Sequence, residues 1–183
     1  MMNQNVRKSM ALLSREEQAV VWDYFKPRYT HAWNMLALSW SQLDQLDNNT
    51  ELGFETEYHW ENFILRLWLY RTTVKTLTRL QAVEGDAKSA INEFDNVFSL
   101  NGRNQLKALR DMIEHFDDYA AGAGKGAATR EGDLDPWRMF DRDRYERGQY
   151  CLEREKSYAA AIKLRSEAKR ASSAFIRWYK SRD

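Results

Sequence analysis

One short stretch of the chain carries side chains that could do chemistry together: Arg110, Asp111, Glu114 and His115. Cleaving a phosphodiester through an adjacent hydroxyl needs a base for that proton and an acid for the leaving oxygen. It also needs positive charge for the crowded phosphorane. Histidine suits the proton work because imidazole titrates near neutrality. Arginine suits the phosphate because it stays charged and bonds it in a fork. Asp111 would orient Arg110 or His115, and Glu114 can do likewise. The plainer reading of both acids is helix-surface charge. Four residues separate Arg110 from His115. On a helix they would lie about 140° apart and about 7.5 Å along the axis. They cannot clasp each other, but they can border one polar face. One chain supplies one such histidine. A two-fold dimer joining both faces would supply two.

The element that must position them reads as a helix. Leu106, Leu109, Ile113, Phe116 and Ala120 recur at three- and four-residue steps and share a face. Lys107, Arg110, Asp111, Glu114, His115 and Asp118 occupy the other side. Asn101-Gly102 is a turn signal before it, and Gly122, Gly124 and Gly126 stop it. The spacing therefore predicts a helix from about Arg103 to Ala120.

Arg, four residues, then His resembles the motif helix of HEPN domains. These are α-helical domains, many of them metal-independent ribonucleases of toxin and antiphage systems. A polar residue, Asp111, follows the arginine directly, and the helix is amphipathic and late in the chain. The resemblance covers this helix closely and the rest only as an all-α bundle. It implies a homodimeric, metal-independent endoribonuclease of toxin–antitoxin or antiphage defence type, with no cofactor and no metal. It also implies an antitoxin or another defence-system protein as a partner. Some HEPN toxins carry a tyrosine two residues after the histidine, which a partner nucleotidyltransferase adenylylates. Here that position is Asp117, and Tyr119 lies four after His115, so control of that kind is in doubt. Two other readings stay open. One is a non-catalytic HEPN-like bundle binding RNA, a nucleotide or a protein. The other is a structural or regulatory bundle whose Arg–His spacing is accidental.

Other chemistries lack their residues. No Asp or Glu stands three before a His, and no two His lie at helical spacing, which removes the di-iron and zinc-protease patterns. His31 and His59 read as satisfied or surface histidines. Gly122-Ala-Gly124-Lys125-Gly126 lacks the Walker spacing, and no Ser or Thr follows the lysine. Lys125 can still lie near a bound phosphate backbone. Trp137, beside Pro136, is the tryptophan most exposed by its context and able to stack on a base. Lys156, Lys163, Arg170 and Arg177 fall seven apart and form a stripe that would guide RNA or dock an acidic partner.

The whole chain frames these sites. It has 183 residues, 43% of them hydrophobic and 13% aromatic, enough for one core. The formal charge is +1, so nucleic acid must meet a local patch rather than a globally basic surface. Residues 154–183 hold nine Lys and Arg against three Asp and Glu. The single Cys151 excludes an internal disulfide. No apolar signal core or membrane-length run is present, so a cytoplasmic protein without membrane contact is expected. Two Pro and few β-branched runs predict an all-α bundle of five to six helices. The expected layout is a single helical domain over 1–183. Within it, 1–13 is a loose arm and 121–152 a loop or hairpin insert. Ser14 to Glu17 is a capping box. Pro27 should split the first stripe into helices near 15–25 and 27–47. Further helices are expected near 56–83, 87–98 and 153–181, and a small hairpin within 137–152.

Overall fold

A computed structural model describes residues 13–46, 53–115 and 138–181, the side chains of 138 and 139 excepted. Helix α1 spans Arg15–Asp44 and starts on the capping box. The Glu17 N–H donates to Ser14 Oγ at 3.1 Å, and the Ser14 N–H donates to Glu17 Oε2 at 2.7 Å. Pro27 does not split this helix, contrary to the expectation from sequence. The reason is its exposure: the Asp23 carbonyl that loses a donor can turn to water. Neighbouring carbonyls take side-chain donors instead. Arg28 Nη1 donates to the Tyr24 carbonyl at 3.4 Å and Thr30 Oγ1 to that of Lys26 at 3.3 Å.

Helix α2 spans Phe54–Lys75 and is the centre of the bundle, touching every other helix described. Its stripe of Trp60, Phe63, Ile64, Leu67, Tyr70 and Val74 is fully buried. The sequence predicts this helix to run on to 83, but two 3₁₀ turns, Thr76–Arg79 and Gln81–Val83, replace its last part. Leu77, Leu80 and Val83 are all buried at steps of three. A 3₁₀ turn of three residues puts such a series on one side, where an α-helix would not. Buried Gln18 of α1 fastens the join: its Oε1 accepts the Gln81 N–H at 3.1 Å, and its Nε2 donates to the Leu13 carbonyl at 3.2 Å.

Helix α3 spans Glu84–Val97. A two-residue turn at Asn101-Gly102, both with positive φ, joins β1 (Ser99–Leu100) to β2 (Arg103–Asn104). Helix α4 follows at Gln105–Glu114. It ends sooner than the periodicity predicts, with His115 at its C-cap, while Phe116 and Ala120 lie outside the described residues. Asp111 and Glu114 load its last turn with negative charge, which opposes the helix dipole there.

In place of one hairpin stands a three-stranded antiparallel meander, β3 (Arg138–Phe140), β4 (Arg144–Arg147) and β5 (Tyr150–Glu153). The charged run from Asp141 to Arg147 supplies the middle strand, because Tyr145 points inward and pairs with buried Leu152. Helix α5 spans Arg154–Lys180 and runs antiparallel to α1. Trp22 meets Phe175 near one end, and Trp40 stacks on Tyr158 near the other. The chain is thus an all-α helical bundle with a small antiparallel insert before its last helix. Among the described residues, no helix is long and apolar enough to cross a membrane. Most of the arm at 1–13 and of the glycine-rich exit lies outside the described residues.

Candidate active site

Tertiary contacts at both faces hold α4 in place. Leu106, Leu109 and Met112 are buried in the core. The first two follow the predicted stripe. Met112 was not expected there. Its N-cap, Asn104, accepts the Lys107 N–H at 2.9 Å and donates from Nδ2 to Asp95 Oδ1 at 3.2 Å. Asp95 in turn receives Arg71 of α2, whose Nε donates to Oδ1 at 3.0 Å and whose Nη2 donates to Oδ2. Gln105 Oε1 accepts the Cys151 N–H at 3.0 Å, tying α4 to the meander.

On this frame Arg110 turns toward α2. Its guanidinium carbon stands 5.0 Å from the centre of the Trp68 ring, and that of Arg71 stands 5.1 Å from the same ring. Arg110 Nη1 donates to Glu114 Oε2 at 2.5 Å and lies 3.1 Å from Asp111 Oδ1. Asp111 also receives Lys107 Nζ at 2.6 Å. The two acids therefore hold the arginine's fork across the face of an indole. Together Arg110 and Glu114 form one wall of a groove of about 410 Å³ whose other wall is Asn62, Leu65, Trp68 and Leu69 of α2.

His115 is exposed at the end of α4, with its N–H bonded to the Asp111 carbonyl at 3.0 Å. Arg110 packs sideways against α2, while His115 stands at the helix tip. Along α2 beside them, Phe54, Tyr58 and Leu69 are exposed and Leu65 is half-buried, at steps that place all four within one narrow stripe. This stripe runs into the groove at Leu65 and Leu69.

The basic stripe of α5 lies on its exposed face. Lys163 pairs with Glu93 of α3 at 2.8 Å, and Arg170 pairs with Glu167. The first contact holds the Glu93 carboxyl below the usual range and the Lys163 amine above its own. Lys156 stands 4.0 Å from Glu153, and Arg177 is exposed. Lys125 and Trp137 lie outside the described residues. Among those residues, no three His, Cys, Asp or Glu side chains converge as metal ligands.

Arg154, which the sequence pattern does not single out, is buried at the start of α5. Its guanidinium meets Asp44 at 2.5 Å, Asp143 at 3.1 Å and Glu155 at 2.9 Å. Trp60 Nε1 donates to the Asp141 carbonyl at 2.6 Å beside it. The only sequence signal is the density of Asp and Arg from 141 to 144, which reads as a solvated turn. No protein-family model, curated protein or solved structure matches the chain.

Proposed function

We propose that this protein is a homodimeric, metal-independent endoribonuclease of toxin–antitoxin or antiphage defence type, with Arg110 and His115 as its catalytic pair. The observation that carries the reading is the held posture of Arg110. Two carboxylates and an indole fix its fork at the mouth of a groove, one turn from an exposed histidine. In the reaction the 2′-oxygen attacks phosphorus and the bond to the 5′-oxygen breaks. A histidine takes the 2′ proton, a second histidine protonates the leaving oxygen, and Arg110 steadies the phosphorane. Because the chain offers one motif histidine, the second copy supplies the other. The exposed stripe of Phe54, Tyr58 and Leu69, continuous with the groove, gives that copy a surface to cover.

The test is purified protein with end-labelled RNA in EDTA. The expected products carry a 2′,3′-cyclic phosphate and a 5′-hydroxyl, and DNA is spared because it lacks the nucleophile. Cleavage that requires magnesium, or that survives His115→Ala, overturns the mechanism. A non-catalytic HEPN-like bundle is the second reading, favoured by the two carboxylates already neutralising Arg110. It predicts that His115→Ala leaves RNA or partner affinity unchanged and that no cleavage is ever seen.

A further inference from the structure

On another face, α1 and α5 part to leave an open groove of about 930 Å³. Trp22 and Tyr29 line it as half-buried rings. Lys26 and His31 enter from α1 and Lys169 from α5, all exposed. Ser172 and Ser173 add hydroxyls along the α5 wall. The acid closest in sequence to this rim is Asp23, 3.9 Å from Lys26 Nζ. Both of those side chains are solvated, so the contact is weak and readily displaced. The groove thus joins aromatic faces to positive charge and hydroxyl donors, the combination that holds a flexible polyanion carrying planar bases.

We propose that the groove between α1 and α5 holds a single-stranded RNA segment, its phosphates on Lys26, Lys169 and His31 and its bases against Trp22 and Tyr29. The ligand class rests on the ribonuclease reading above. The placement does not follow from the basic stripe of α5, since Lys163 and Arg170 of that stripe are already engaged by Glu93 and Glu167. Lys169 sits about 100° around the helix from Arg170, on the side facing α1.

The experiment measures anisotropy of a fluorescein-labelled oligouridylate against salt, for the full chain and for the double variant Lys26→Glu/Lys169→Glu. Both lysines are exposed, so the double variant keeps the fold. Photocrosslinking of a thiouridine analogue locates the contact. Expected is at least a tenfold loss of affinity in the double variant. Its salt slope should be shallower by about 1.4, at roughly 0.7 for each phosphate no longer neutralised. Crosslinks should fall on residues 22–34 or 169–173. Equal binding by the parent and the double variant overturns the proposal, as does equal competition by polyglutamate, which would assign the groove to an acidic protein segment. No binding by the parent at low salt also overturns it. Groove binding without any cleavage would refute the ribonuclease reading and leave the groove standing. Cleavage with unchanged KM in the double variant would do the reverse.

Discussion

At the scale of single residues, the proposed function hangs on side chains that contribute little to the core. His115 is exposed and Arg110 lies across an indole, so His115→Ala and Arg110→Ala should both fold. Each should lower RNA cleavage on the order of a hundredfold or more, read as initial rates in EDTA. Tyr70 offers a different test. Burial and the Tyr29 hydroxyl, 3.5 Å away, push its phenol well above the ordinary value of 10.0. The folded state thus favours the protonated phenol. Its stability contribution is intact below pH about 10, the unfolded value, and is lost as pH rises from there toward the folded one. Unfolding free energies from urea titrations between pH 9 and 11.5 should fall by up to about 1.4 kcal/mol per pH unit more steeply for the parent than for Tyr70→Phe. Parallel curves would refute the assignment. The identities at the candidate site were legible in the sequence, because Arg110, Asp111, Glu114 and His115 stand on the predicted polar face. Their surroundings were not. That Trp68 would lie between Arg71 and Arg110 depends on how α4 crosses α2, and no local pattern in either helix encodes that.

At the scale of elements, periodicity found the long helical stretches among the described residues, since each buries a continuous stripe. It misjudged places where a local preference met a tertiary contact. Pro27 is tolerated because its defect faces water, so a rule about donors gave way to solvation. Its cost nonetheless remains, and Pro27→Ala should raise stability by about 1–3 kcal/mol, measured by urea unfolding. No gain would mean that hydration of the Asp23 carbonyl already offsets the missing bond. The end of α2 and the central strand of the meander were hidden for a related reason. Steps of three at Leu77, Leu80 and Val83, and a lone inward Tyr145, acquire meaning only once the neighbouring helices are in place.

At the scale of the whole molecule, the described parts are joined at a few polar points. Arg154 gathers the end of α1, the meander and the start of α5 through Asp44 and Asp143. Its acids are more exposed than it is, so Arg154→Met leaves them hydrated. It should cost about 1–3 kcal/mol by thermal or urea unfolding, with RNA cleavage per folded molecule unchanged. Assembly is tested on the α2 stripe. Light scattering at micromolar concentration should give a dimer, and Phe54→Asp with Tyr58→Glu should give a folded monomer without cleavage. A parent that is already monomeric would weigh against the shared site. The central position of α2 has one more consequence, in the exchange of backbone amides with deuterated water. With neighbours along its length, α2 cannot open without releasing the bundle, and its amides around Phe63–Tyr70 should exchange only at the rate of global unfolding. Helix α4 has ten residues and charge set against its dipole, so its last amides should exchange through a smaller, local opening. The helix that carries the candidate chemistry would then be the one best able to rearrange when RNA or a second copy arrives.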